Sequence, residues 1–145
     1  MFIVKAFHEL TTTELYAILR ARTNVFVVEQ NCAYEEVDGK DIAALHMFAL
    51  QDGDVTAYLR MLPPGVSYEQ LSIGRVLVQP AYRGQKLATA LMTEALTVIE
   101  QHFGKQPIKI QAQTYLQAFY ASFQFEAISE SYLEDNIPHI DMLRR

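Results

Sequence analysis

The sequence has little of what marks several large classes of protein. Cys32 is the only cysteine in 145 residues, so no internal disulfide can form, and we expect a reducing compartment, the cytoplasm. Twelve Lys and Arg residues face 17 Asp and Glu residues, a formal net charge of −5, which argues against sequence-independent nucleic-acid binding. No apolar run approaches the roughly 18 residues of a membrane span, and no secretory signal pattern opens the chain.

Linkers rich in glycine, serine or proline are also missing, as are repeats, so we expect one domain over residues 1–145. Half of the residues are apolar and a fifth are charged, which suffices for one core and is too apolar for a disordered chain. Phosphate-loop, dinucleotide-turn and serine-hydrolase motifs do not occur, and no grouping of His and Cys predicts a metal site.

Hydrophobic periodicity predicts a mixed α/β domain with the order β-α-β-β-β-α-β-α-β-β. Strands are predicted at 1–6, 43–50, 55–62, 73–78, 108–113, 127–133 and 140–143. The first helix begins after Thr11, which forms a predicted capping box with Glu14, and further helices are predicted at 84–103 and 116–123. Asp52 and Gly53 predict a hairpin between the second and third strands.

The start of the longest predicted helix carries an unusual charge pattern. Acidic residues are preferred in a first helical turn because the helix dipole is positive there. This helix start carries Arg83 and Lys86 instead, with no acid before Glu94. A bound anion would explain both cations, and Gly84 would let a phosphate approach the backbone. Solvated charge at an exposed helix start is the alternative interpretation.

Residues 113–125 are dense in aromatic side chains and predict a short helix after a strand. Phe119 and Phe123 are four positions apart and are expected to be buried. Tyr120 is rotated from Phe119 by roughly 100° and would present its hydroxyl to a cleft as a proton donor. Ordinary packing of Tyr120 within an aromatic helix is the alternative.

These two segments resemble the GNAT acetyltransferase superfamily. Residues 83–88 are similar to its glycine-rich turn, with Lys86 at the middle glycine, and residues 119–125 to its Phe-Tyr-x-x-x-Gly-Phe pattern, with Gln124 at the glycine. Further stretches are similar to the ElaA-like subgroup of that family, namely residues 22–34, 38–41, His46 and 135–140. The resemblance covers essentially the whole chain and implies a single GNAT-like domain with splayed central strands.

The resemblance implies an N-acetyltransferase that moves an acetyl group from acetyl-coenzyme A (acetyl-CoA) to a primary amine, by direct attack in a ternary complex. The pyrophosphate would lie on the amides of residues 84–88, and the pantetheine arm would run along residues 76–78 like an extra strand. A backbone amide near Val78 would polarise the thioester carbonyl. The residues implied in binding acetyl-CoA are Val76, Leu77, Val78, Arg83, Gly84, Gln85, Lys86, Leu87, Ala88, Thr89, Gln113 and Phe119.

The resemblance implies a catalytic role for one residue, whereas the base is argued from side-chain chemistry. Tyr120 would protonate the departing CoA thiolate. The base that deprotonates the amine stays open, with Glu29 and His46 as the first candidates and Asp38 and His139 behind them. The alternatives are an ion pair of Glu29 with Arg22 or a contact with a backbone amide, and a strand position for His46 where a neighbour satisfies the ring.

The acceptor and the rival function are less defined. Residues 29–41 hold five acidic residues and one lysine, a net charge of −4. Because the resemblance places this stretch beside the acceptor pocket, a negative rim would attract a cationic small-molecule or peptide amine; a solvated loop is the alternative. A non-catalytic module that binds CoA and acts through a protein partner is the rival function. We expect no metal, nucleic acid or membrane partner, and either a monomer or a homodimer.

Overall fold

A mixed sheet of eight strands forms the centre of the computed structural model, which describes residues 2–145. The strands are β1 Ile3–Ala6, β2 Leu45–Gln51, β3 Asp54–Leu62, β4 Leu71–Val78, β5 Ile108–Gln113, β6 Glu126–Ala127, β7 Tyr132–Glu134 and β8 Ile137–Arg144. The helices are α1 Thr12–Arg22, α2 Leu87–Phe103 and α3 Gln117–Ala121, and a π-helical segment, Thr23–Glu29, prolongs α1. The mixed α/β class is confirmed. Among residues 2–145, no helix combines the length and apolar character that crossing a bilayer requires.

The strand order across the sheet is β1-β2-β3-β4-β5-β8-β6, and β7 also pairs with β8. The predicted single strand at 127–133 is wrong, because two short strands, β6 and β7, occupy this region. The Ser129 hydroxyl accepts a hydrogen bond from the Asp141 amide at 3.0 Å. Because the hydroxyl takes the place of a backbone carbonyl, regular pairing with β8 is interrupted here.

Two hydrophobic cores cover the opposite faces of the sheet. Strand β3 shows the division, because its successive side chains point to opposite faces. Leu59 and Met61 pack in the core beneath α2. Tyr58 packs instead with Ile18 of α1 and Val25 of the π-helical segment. The sheet is therefore covered on both sides, and a site can open only at an edge or where strands separate.

Local signals in the sequence produce the expected turns. The Thr11 hydroxyl accepts the Glu14 amide at 3.0 Å, and the Glu14 carboxylate accepts the Thr11 amide at 2.9 Å, which confirms the capping box. Asp52 and Gly53 have φ values of +52° and +82°, as a type I′ turn between β2 and β3 requires. The predicted hairpin is therefore confirmed.

Strands β4 and β5 are parallel neighbours that pair only at their first residues. Leu71 lies opposite Ile108 and Ser72 opposite Lys109, after which the strands separate. Strand β4 also carries a bulge against β3, where Arg75 adopts a φ of +53°. Beyond Ser72, the edge of β4 that faces β5 has no strand partner in residues 2–145. The predicted splay of the central strands is thus confirmed.

Candidate active site

A cleft of about 970 Å³ opens where β4 and β5 separate. One wall comes from β4 and the start of α2, and the other from β5, α3 and β8. The π-helical segment and the loop that follows it, residues 30–40 (the covering loop), border the opening. Ten of the residues implied in binding acetyl-CoA line this cleft, namely Val76, Leu77, Val78, Arg83, Gly84, Lys86, Leu87, Ala88, Gln113 and Phe119. Gln85 and Thr89 do not line it.

Helix α2 begins at Leu87, three residues later than predicted, so Arg83 and Lys86 lie in the preceding turn rather than in the first helical turn. The first helical hydrogen bond joins the Ala90 amide to the Lys86 carbonyl at 3.1 Å. The amides of residues 87–89 therefore lack an intrahelical acceptor. Since the first turn contains no acid, this positive end of α2 is open toward the cleft.

The two departures from the glycine pattern of the family keep the backbone conformation of glycine. Lys86 and Gln124 have φ values of +60° and +72°, in the left-handed region. A non-glycine residue there costs about 1 kcal/mol. Lys86 is exposed and lines the cleft, so its ammonium can reach a bound anion. The unpaired edge of β4, the free amides and this cation fit a ligand in which an extended arm leads to a pyrophosphate.

Glu29 and Arg83 form a bidentate ion pair at the mouth of the cleft. The Arg83 Nη1 and Nη2 atoms lie 2.6 and 2.8 Å from the two carboxylate oxygens of Glu29, and Arg83 Nε donates to the Val78 carbonyl at 2.8 Å. The hydrogen bonds from Arg83 lower the pKa of Glu29. The predicted partner Arg22 is therefore wrong. Because Arg83 holds its carboxylate in this way, Glu29 is disfavoured as the base.

His46 lies on β2 and is fully buried away from the cleft. Its Nε2 is 2.9 Å from the Asp41 carbonyl, which can only accept, so Nε2 carries the proton. Its Nδ1 then accepts the Tyr58 hydroxyl at 2.6 Å. Burial lowers the pKa of His46 and keeps the ring neutral. The structure does not bring His46 to the site, and its two satisfied nitrogens match the alternative interpretation.

Arginines neutralise most of the predicted negative rim. Three of its carboxylates are bound by guanidinium groups from α1, β3 and β4, in the pairs Arg22–Glu36 at 2.7 Å, Arg22–Asp41 at 2.6 Å, Arg60–Asp38 at 2.6 Å and Arg75–Glu36 at 2.8 Å. Burial opposes ionisation of Asp38, but hydrogen bonds from Arg60 hold the pKa of Asp38 well below its ordinary value. Asp38 is therefore also disfavoured as the base. The network anchors residues 36–41 against the sheet.

Tyr120 lies on α3 and lines the cleft with 6% of its surface exposed. Its ring makes edge contacts with Phe119 and Phe125, at centroid distances of 5.1 and 6.1 Å. Burial raises the pKa of Tyr120, so the hydroxyl stays protonated at neutral pH. The aromatic packing therefore fixes a hydrogen-bond donor at the cleft.

Sequence reasoning missed Arg75, which lines the cleft from the bulge of β4. Its guanidinium binds Glu36 and lies 5.5 Å from the centroid of the Tyr34 ring. No local signal predicts it, because arginine rarely adopts a positive φ. His139 does line the cleft, whereas His8 and His102 are exposed, as surface residues are.

Comparisons with known proteins agree with this geometry. Residues 13–145 match the family model described as an acetyltransferase (GNAT) domain. Protein ElaA of Escherichia coli strain K12 is 42% identical over 138 residues, covering 94% of this chain and 90% of that protein. The crystal structure of an acyl-CoA N-acyltransferase from Pseudomonas aeruginosa has 46% identity and a TM-score of 0.94, covering 100% of this chain and 99% of that one. The crystal structure of E. coli ElaA has 40% identity and a TM-score of 0.93 with the same coverage. The chain therefore belongs to the GNAT family, as an ElaA-like acyltransferase whose fold takes an acyl-CoA donor and an amine acceptor.

Proposed function

We propose that this acyltransferase is an N-acetyltransferase that moves the acetyl group of acetyl-CoA directly to a primary amine bound in the same cleft. The observation that carries the proposal is the separation of β4 from β5, which leaves an open strand edge between the positive end of α2 and the Tyr120 hydroxyl. An acyl-pantetheine arm would pair with that edge as a strand does. Its pyrophosphate would accept hydrogen bonds from the free amides of residues 87–89, beside Lys86.

The side chains and amides of the cleft divide the chemistry between them. A backbone amide near Val78 would bind the thioester oxygen as negative charge develops on it. Tyr120 would donate its hydroxyl hydrogen to the sulfur as the carbon–sulfur bond breaks. The amine must lose a proton before it attacks, because an alkylammonium such as that of lysine has a pKa of about 10.4.

Thiol release tests this proposal. The protein is mixed with acetyl-CoA and a panel of diamines, amino acids and lysine peptides, and free thiol and acetyl-CoA binding are both measured. We expect binding in the absence of an amine and thiol release that depends on one. Propionyl-CoA and longer thioesters in the same assay define the acyl preference. Binding without release across the panel would favour a non-catalytic CoA sensor, and absence of binding would contradict the cleft as the acetyl-CoA site.

Glu29→Gln is expected to tighten acetyl-CoA binding about two- to fivefold, since an exposed ion pair contributes up to about 1 kcal/mol. In the wild type, Arg83 donates two hydrogen bonds to Glu29, and both side chains are about two-fifths exposed. Removing the carboxylate frees the guanidinium for phosphate and removes a competing negative charge. Calorimetry at low and high salt measures the change, which salt should diminish.

Glu35→Gln is the matched control, because Glu35 is an exposed carboxylate that lines the same cleft and takes part in no ion pair of residues 2–145. Its affinity for acetyl-CoA should stay close to that of the wild type. If Glu29→Gln abolished turnover and left binding unchanged, Glu29 would be the base after all.

A further inference from the structure

The cleft passes through the sheet, so the two faces of the sheet present different side chains to it. Ala112 of β5 and Ile140 of β8 are buried in the core beneath α2. Because side chains alternate along a strand, Gln113 and His139 lie on the opposite face. They are directly opposite each other in the antiparallel β5–β8 pair, and both line the cleft. His139 therefore reaches the cleft from the side away from α2.

Hydrogen bonding fixes the protonation pattern of the His139 ring. Nδ1 lies 2.7 Å from the Ile137 carbonyl, and because a carbonyl can only accept, Nδ1 must carry the proton. The lone pair is then on Nε2, which makes no hydrogen bond within residues 2–145. The ring stacks on Tyr132 with the centroids 6.4 Å apart. Tyr132 is itself held by Gln111 and Asp141, so the imidazole is oriented by its surroundings.

The carboxylates at the cleft are poorer bases than an imidazole. Arginines hold Glu29 and Asp38 and lower the pKa of each. Besides Glu29, Asp38 and His139, the titratable groups that line the cleft are Cys32, Tyr34, Glu35, Lys40, Arg75, Arg83, Lys86, Tyr115, Tyr120, Glu134 and Asp135. Among the described residues that line the cleft, His139 is the one imidazole, and an imidazole is a stronger base toward an ammonium than a carboxylate is.

We infer that His139 is the general base for the acceptor, and that the amine enters from the face of the sheet opposite α2. This inference rests on the proposed N-acetyltransferase function. Nε2 of His139 takes one proton from the acceptor ammonium, and the freed nitrogen lone pair forms the carbon–nitrogen bond. The carbon–sulfur bond breaks with its electron pair on sulfur. Tyr120 protonates the departing sulfur, the second proton lost by the amine nitrogen restores the Tyr120 hydroxyl, and His139 returns its own proton to solvent.

The two faces of the sheet thus separate the two proton transfers. Tyr120 belongs to the core beneath α2 and meets the cleft from that side, where the sulfur departs. His139 meets it from the opposite side, which the π-helical segment and the loop after it border, and the acceptor amine would bind between that loop and His139. An acid and a base on opposite sides of one reacting carbonyl can both act within a single ternary complex.

His139→Asn tests the inference, because the asparagine amide can still donate to the Ile137 carbonyl but has no basic nitrogen. His139→Gln is a second variant should the first fail to fold. His102→Asn is the control, since His102 is exposed near the end of α2 and does not line the cleft. For each protein, kcat/KM is measured from pH 6 to pH 9 with an alkylamine of the active panel and with a hydrazide, which is unprotonated at neutral pH.

With the alkylamine, kcat/KM of His139→Asn should fall about a hundredfold and then rise in proportion to the free amine as the pH increases. With the hydrazide the loss should stay under about fivefold, because no proton has to be removed before attack. Acetyl-CoA affinity should not change. Equal losses with both acceptors, or no loss with either, would overturn the role of His139. A wild-type protein that releases thiol with no amine would instead overturn the proposed function, and this inference with it.

Discussion

Tyr120→Phe is expected to lower kcat by two to three orders of magnitude and to leave acetyl-CoA affinity within about twofold. The substitution removes one hydroxyl from a ring that Phe119 and Phe125 hold in place, so the packing of α3 survives. Burial raises the pKa of Tyr120, and the hydroxyl remains protonated through neutral and moderately alkaline pH. Its contribution is a hydrogen bond to sulfur that strengthens as the thioester breaks, which appears in kcat rather than in binding.

Tyr115→Phe supplies the matched control for this substitution. Tyr115 lines the same cleft in the turn before α3, but 77% of its surface is exposed. Its loss of a hydroxyl should change kcat less than twofold. The measurements are steady-state thiol release and calorimetric affinity for both variants. Wild-type kcat in Tyr120→Phe, or an equal loss in Tyr115→Phe, would contradict the role assigned to Tyr120.

Much of the fold and of the candidate acyl-CoA site could be predicted because short-range signals encode both. The capping box of Thr11 and Glu14 and the turn at Asp52 and Gly53 depend on neighbours within three positions. The two cations just before α2, Arg83 and Lys86, can also be recognised from a few consecutive residues. Such signals predict where a helix starts or a chain turns, and a helix start is itself an anion site.

The choice among the candidate bases was harder to make from the sequence, because it depends on which distant residue contacts each ionisable group. Glu29 and Arg83 are 54 positions apart in sequence, yet their ion pair decides that this carboxylate is held. His46 and His139 both lie on strands, and only the sheet register places one in the core and the other at the cleft. Charge counts over residues 29–41 failed for the same reason, since the neutralising arginines come from three other elements.

Arg22→Met is expected to reduce the free energy of unfolding by about 3–5 kcal/mol, the usual cost of breaking a buried ion pair from one side. Arg22 is completely buried and donates to the Glu36 and Asp41 carboxylates and to the Glu36 carbonyl, at 2.7, 2.6 and 3.0 Å. Methionine restores much of the volume and none of the charge. The two carboxylates then retain only Arg60 and Arg75, and residues 36–41 lose one of the three arginines that anchor them beneath the cleft.

Arg20→Met is the control, because Arg20 lies on the same helix but is exposed, with Asp54 at 3.6 Å. Its cost should be under about 1 kcal/mol, as for other surface pairs. Chemical denaturation at neutral pH compares the stability of the two variants with that of the wild type. Thiol release reports whether the cleft is still active when the covering loop has lost Arg22.

The pH dependence of the Arg22→Met effect shows where the energy comes from. Burial raises the pKa of Asp41, but hydrogen bonds from Arg22 outweigh burial and lower it overall. A carboxyl whose pKa is lowered by folding stabilises the protein above its unfolded pKa, and this stabilisation is lost as the pH falls through the folded value. The difference between wild type and Arg22→Met should therefore shrink as the pH drops below about 4. A cost that stayed constant with pH would assign the effect to packing, and a cost under about 1 kcal/mol at neutral pH would mean that Arg60 and Arg75 alone balance the buried carboxylates.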